Sequence, residues 1–222
     1  SSTGWTTGKP GNGKAVDLTG KYIVHKTTGF SSTNGTVETW VKPVSGTDHY
    51  WGVWQTHDSS DVNFTDWIWV GRYSLNTFYF RMGDGGSCCS NDLTFDPSSY
   101  IPTDAWTHLA FTWQGTSNGT ADDTMKIYAN GVLVAQRTNA NFQATMDPYA
   151  RIGFGHTYAS DGAMDEFRAY NRALSQEEII NDMYAGVISH SYYRSTALTG
   201  TYSTVKTRPS IVVVENGSGS NV

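Results

Sequence analysis

Short alternations of apolar and polar residues, each closed by Gly, Asn, Asp, Ser or Pro, recur along most of this chain. That rhythm admits little besides an all-β fold. In His108–Trp113, Leu109, Phe111 and Trp113 share one parity, while His108, Ala110 and Thr112 share the other; a period of two belongs to a strand. Further strands are expected at Ala15–Leu18, Tyr22–His25, Thr36–Lys42, Tyr50–Gln55, Trp67–Tyr73 and Thr77–Met82. Met125–Ala129 and Val132–Arg137 flank Asn130-Gly131, a strong short-range hairpin signal. Arg151–Phe154 and Met164–Tyr170 complete the series. Many short strands with turn signals between them predict a sandwich or a barrel.

One helix interrupts the pattern. Ser175 and Glu178 form a capping box, Ile179, Ile180, Met183 and Tyr184 supply the apolar stripe, and Gly186 stops it. Residues 187–222 form a separate strand-prone stretch with candidate strands at Ser191–Arg194, Thr201–Lys206 and Ile211–Val214. The Ile211–Val214 run is too apolar to stay uncovered. The extension is therefore expected to pack on its own sandwich or on a neighbouring subunit, beside a main domain spanning 1–186.

Composition closes off other classes. Aromatics make up 14% and charged residues 16% of 222 residues, the reverse of a disordered chain. A net charge of −5 with no basic cluster excludes nucleic acid as the expected partner. No run approaches the ~18 apolar residues of a membrane span, so no membrane insertion is expected. The chain starts at Ser1 rather than Met, which fits a processed or trimmed product. Asn34, Asn63, Asn118 and Asn216 head Asn-x-Ser/Thr glycosylation sequons. The two cysteines, Cys88 and Cys89, are adjacent. They leave three states open: two thiols, a bridge to another chain, or a vicinal disulfide strained by the ~3.8 Å spacing of neighbouring Cα atoms.

Five segments, in order, resemble a known family. They are Gly13–Leu18, Thr36–Pro43 (TVETWVKP), Trp106–Ala110 (WTHLA), Lys126–Val132 (KIYANGV) and Gly162–Ser175 (GAMDEFRAYNRALS). Together they resemble the LamG-like, concanavalin A-like lectin modules over residues 11–185. The resemblance implies a two-sheet antiparallel jelly-roll sandwich with one short helix near 176–185. It places Trp40, Trp106 and Tyr170 in the core between the sheets. It also implies calcium near the first strand and the late Asp, with Asp17 and Asp165 as the matching positions.

Catalysis is not expected. Laminarinase-like relatives of this fold carry Glu-x-Asp-x-x-Glu on one strand. This chain has only Glu38, Glu166, Glu177, Glu178 and Glu215, and none at that spacing. No Gly-x-Ser-x-Gly elbow and no zinc motif occurs. Sugar recognition combines flat aromatic faces with planar polar groups, and the stretch 50–92 is rich in both. The expected carbohydrate-binding set is Trp54, Trp67, Trp69, Tyr73, Tyr79, Arg81 and Asp84, with His156 and Tyr158 joining the same rim. The expectation is a non-catalytic extracellular or cell-surface lectin-like domain that binds a glycan or glycoprotein in adhesion. The alternative is a structural subunit of a surface filament, a homo-oligomer joined through residues 187–222.

Overall fold

The computed structural model describes residues 4–11, 13–44, 51–57, 67–74, 76–83, 91–116, 123–142, 146–155, 158–185, 189–192, 202–208 and 211–217. Numbered in chain order, one sheet has seven strands. They run β1 (Gly4–Thr7), β2 (Lys14–Asp17), β15 (Gly162–Tyr170), β4 (Asn34–Pro43), β9 (Thr107–Gln114), β10 (Thr124–Ala129) and β11 (Val132–Thr138). The second sheet has six: β3 (Ile23–Lys26), β12 (Tyr149–Ile152), β5 (Trp51–His57), β6 (Ile68–Ser74), β7 (Thr77–Met82) and β8 (Asn91–Phe95). All pairings are antiparallel. The two sheets face each other across one apolar core, the jelly-roll sandwich that the strand rhythm and the resemblance predict.

The alternation decides what enters that core. Phe78, Phe80 and Met82 of β7 point inward to meet Leu109, Phe111 and Trp113 of β9. Phe78 stacks on Phe111 at 5.8 Å between ring centroids, and Phe80 meets Trp113 edge-on at 6.2 Å. Val37 and Val41 are the inward residues of β4. Trp40 has the opposite parity and so lies on the outer face beside His108. Tyr170 likewise lies outside, packed with Ala110, Tyr128, Leu174 and Ile179 under the helix. Trp106 precedes β9 and is half-buried. The expected inter-sheet core of Trp40, Trp106 and Tyr170 is therefore replaced by Trp51, Trp54 and Trp113.

Helix α1 (Gln176–Met183) starts at Ser175 with the predicted capping box. It covers the outer face of the seven-stranded sheet, with Gln176 Nε2 donating to Gly131 O at 2.8 Å. This explains why β9 is buried on both faces. Two small strands, β13 (Phe154–Gly155) and β14 (Tyr158–Ala159), form a separate hairpin. The C-terminal strands β16 (Ser189–Tyr192), β17 (Tyr202–Arg208) and β18 (Ile211–Gly217) make a third antiparallel sheet. Among the described residues it pairs with neither sheet of the sandwich. No helix among them is long and apolar enough to cross a membrane.

Candidate functional site

Strand pairing aligns one outward row across the whole six-stranded sheet: Val24, Arg151, Gln55, Trp69, Arg81 and Asp92. The neighbouring row contains Gly52, Gly71, Tyr79 and Thr94. Outward positions of a sheet are ordinarily polar. Here they carry a stack of rings. Trp67 and Trp69 lie nearly parallel at 5.8 Å, and Trp69 stacks on Tyr79 at 5.5 Å. Tyr73 meets Trp69 and Tyr79 edge-on at 6.1 and 5.6 Å.

Arg81 completes the ladder. Its guanidinium sits 4.9 Å from the Tyr79 ring and 5.5 Å from the Trp69 ring, a cation–π contact on each side. Asp92 locks it through two 2.6 Å hydrogen bonds, Nε to Oδ1 and Nη2 to Oδ2. Such a bidentate pair fixes the plane of both groups. The ladder has two layers. Trp67 and Trp69 are buried supports, Trp69 at 1% exposure; Tyr73 is 37% exposed, and Tyr79 and Arg81 are half-buried. The accessible layer is thus two tyrosine rings beside a charge-neutral, planar Arg–Asp pair.

A glycine contact positions the rest of the rim. A Cβ on Gly52 would lie 1.8 Å from Gly155 N, and one on Gly155 would lie 2.0 Å from Trp69 Nε1. Only glycines let the β13–β14 hairpin sit this close to β5 and the Trp69 ring. Tyr158 lies in that hairpin, opposite Gly155, which brings its backbone to the same region. Gln55 Oε1 is buried without a hydrogen-bond partner among the described residues, between Arg151 and Trp69 in the row.

The ladder joins Trp67, Trp69, Tyr73, Tyr79 and Arg81 from the predicted set. It excludes Trp54. That ring is fully buried between the sheets, stacked on Trp113 at 6.4 Å and Phe30 at 6.1 Å, and its N–H donates to His25 Nε2 at 3.0 Å. A β-bulge between Gly52 and Trp54 shifts the strand's phase and turns Trp54 inward. Asp84, His156, Cys88, Cys89, Asn63 and Asn118 lie outside the described residues. Asn216 lies in β18. Asn34 Nδ2, the atom a glycan would occupy, donates to Thr33 Oγ1 at 3.0 Å and Gly115 O at 3.2 Å. Sequence reading left Asp92 and Gln55 out of the set. Asp92 needed β8 to be recognised; Gln55 shares the outward parity of Gly52's neighbours only once the bulge is known.

The two expected calcium positions are both engaged by backbone donors. Asp165 Oδ2 accepts from Lys9 N at 3.1 Å, and Oδ1 accepts from Glu166 N at 2.9 Å. Asp17 Oδ1 accepts from Thr19 N at 3.0 Å. Among the described residues no three His, Cys, Asp or Glu side chains gather to hold an ion, and calcium needs six to eight oxygens.

A second polar cluster lies under α1, on the outer face of the other sheet. Glu38 and His108 are fully buried, with His108 Nε2 3.9 Å from Glu38 Oε2 and Arg168 Nη1 3.6 Å from Glu38 Oε1. Burial, seconded by the Asp182 carboxylate, pushes Glu38 up to about 8 against the pull of Arg168. Burial, with Arg168 and Lys9 nearby, pushes His108 down to about 3. The cluster reaches the helix end: Arg168 Nη1 donates to Asp182 O at 3.0 Å, Tyr170 Oη donates to Asp182 Oδ2 at 2.7 Å, and Lys9 Nζ donates to Ala185 O at 3.3 Å. With Glu38 and His108 fully buried, this cluster clamps α1 to the sheet.

The sequence pattern of the Concanavalin A-like lectin/glucanases superfamily matches residues 17–180. The chain is 27% identical over 122 residues to Adhesion G-protein coupled receptor D1 of Homo sapiens. The match covers 48% of this chain and only 12% of the receptor's length. Among solved structures, it resembles domain 4 of AbnA, a GH43 extracellular arabinanase from Geobacillus stearothermophilus, in complex with arabinotriose. That likeness has 25% identity, covers 82% of each chain and has a TM-score of 0.54. The heptameric SAP-like pentraxin from Limulus polyphemus shares the fold at 15% identity, over 74% of this chain and 79% of that one, with a TM-score of 0.53.

Proposed function

The chain belongs to the concanavalin A-like lectin/glucanase superfamily, and we propose that it is a non-catalytic, extracellular lectin-like domain that binds glycan in adhesion or surface attachment. The site is the ladder of Tyr73, Tyr79 and Arg81, paired with Asp92 and backed by Trp67 and Trp69. The observation that carries the reading is the stacked aromatic platform on a sheet face that would otherwise be polar. Tyrosine faces pack on the apolar face of a sugar ring, and the planar Arg81–Asp92 pair exchanges hydrogen bonds with neighbouring hydroxyls. Because that pair is neutral overall, the ligand is a neutral sugar. The arabinanase domain supports the reading, being a domain of similar fold in complex with arabinotriose. The adhesion receptor supports the extracellular setting.

Hydrolysis requires two carboxylates flanking an open bond. Glu38 is sealed, Glu166 is held by Arg168, Glu178 is held by Arg172 at 2.8 Å, and Asp92 is held by Arg81. None is placed as an accessible pair on the ladder. The ladder's rings and the Arg81–Asp92 pair act without a metal in this reading, so binding is expected to persist in a chelator.

A glycan array of neutral and acidic oligosaccharides, read with wild type and Tyr79→Ala, tests the proposal. Neutral-glycan binding is expected in wild type and at least a tenfold loss in the variant, about 1.4 kcal/mol. Equal binding by both would remove the ladder from the site. Release of reducing ends from any bound glycan would overturn the non-catalytic reading. A second property, self-assembly through the C-terminal strands, is favoured by the separate three-stranded sheet β16–β18.

A further inference from the structure

Both sheets of the sandwich end on the same side in short edge strands, β1 and β3. Between them opens a pocket of about 130 Å³, lined mainly by Trp5, Val16, Ile23, Ile152, Met164 and Phe167. Its rim exposes Trp5 at 69% and Ile23 at 36%, with the charged Lys14, Asp165 and Glu166 beside them. β3 pairs with β12 and, among the described residues, with nothing on its other side. Thr27 N donates to Pro148 O at 3.2 Å. By the alternation of an antiparallel ladder, His25 and Ile23 also turn their backbone groups to β12, and the N–H and C=O of Val24 point out of the sheet. The edge is short, at four residues, and carries Lys26, but neither Pro nor a bulge interrupts it.

The same chain carries a strand suited to fill it. Ile211-Val212-Val213-Val214 opens β18, which among the described residues is an edge strand of the C-terminal sheet and pairs only with β17. Four branched aliphatic residues in succession are apolar at both parities. Either face of such a strand brings two of them to an apolar mouth.

We propose that β18 of one copy adds to the open edge of β3 in a second copy and closes the mouth between its sheets. Strand addition supplies backbone hydrogen bonds along the edge and seats alternate side chains in the pocket. Donor and acceptor are different surfaces, so the contact is heterologous and repeats head to tail. β6–β8, which carry the aromatic ladder, lie at the other side of the six-stranded sheet. The ladder therefore stays open in an assembled row; the proposal rests on the self-assembly reading above and stands whether or not the ladder binds glycan.

Complementation between two full-length variants tests this. Val24→Pro deletes an outward N–H and leaves the β12 ladder intact. Val212→Glu/Val213→Glu disables the donor. Sedimentation velocity is expected to show concentration-dependent growth of wild type, a single monomer for each variant alone, and a doubled mass on mixing the two. The mixture can form one junction and no more. Far-UV circular dichroism and the thermal midpoint verify folding; if the donor variant misfolds, Val24→Pro mixed with excess wild type must shorten the assemblies. Monomeric wild type at all concentrations, or wild-type assembly by Val24→Pro, would overturn the proposal.

Discussion

Trp54 and Tyr79 lie two strands apart in the same sheet, yet one ring faces the interior and the other faces solvent. Trp54 is fully buried against Phe30 and Trp113, so Trp54→Ala is expected to lower unfolding free energy by about 3–5 kcal/mol in urea titration. Tyr79→Ala removes a half-buried ring at the ladder's surface and is expected to change stability far less than it changes glycan binding. Gly155→Ala tests the support beneath. Its Cβ would press on Trp69 Nε1 at 2.0 Å, whereas a Cβ on Gly13 meets nothing within 4 Å. The first substitution is expected to cost about 1–3 kcal/mol and to shift tryptophan emission; the second is expected to stay within about 0.5 kcal/mol. Equal effects would mean that the hairpin is not seated on Trp69.

At the scale of elements, the clamp under α1 joins β4, β9 and β15 through Glu38, His108 and Arg168 to the last turn of the helix. Its titration sets a pH profile. Glu38 is raised from 4.5 to about 8, so the folded chain keeps a proton that the unfolded chain releases. Its stabilisation is complete below 4.5 and is lost as pH rises toward 8. His108 is lowered from 6.5 to about 3, so the unfolded chain takes up a proton that the folded chain refuses. Its stabilisation is complete above 6.5 and is lost as pH falls toward 3. Together they give a plateau between 4.5 and 6.5 with a decline on each side, limited to about 1.4 kcal/mol per pH unit for each group. Glu38→Gln, measured by urea denaturation from pH 6 to 8, is expected to flatten the alkaline limb. An unchanged limb would mean that Glu38 ionises freely. These three residues come from three of the segments that resemble the family, TVETWVKP, WTHLA and GAMDEFRAYNRALS. In the sequence they stand as separate fold markers; their meeting is a tertiary fact that periodicity does not reveal.

For the whole molecule, strand rhythm points to an all-β sandwich or barrel, because period-two burial leaves a direct trace in residue order, and the family resemblance selects the sandwich. The rhythm missed β1 and β8. Gly-Trp-Thr-Thr has no apolar alternation, and Asn91 opens β8 with a polar residue that is nevertheless buried through a pair of hydrogen bonds with Asn141. The ladder was legible as far as strand parity allowed: Trp67, Trp69 and Tyr73 on one face, Tyr79 and Arg81 on another strand. The bulge that turns Trp54 inward left no sequence signal, and Asp92 depended on the missed strand. The resulting molecule displays an aromatic platform on one part of a sheet and an uncovered apolar mouth at the other edge. Calorimetric titration of the best array glycan separates them. Wild type and Trp5→Ala are expected to bind it alike, while Arg81→Ala loses at least tenfold, about 1.4 kcal/mol. Undiminished binding by Arg81→Ala, with loss in Trp5→Ala, would contradict the account and move the sugar to the mouth between the sheets.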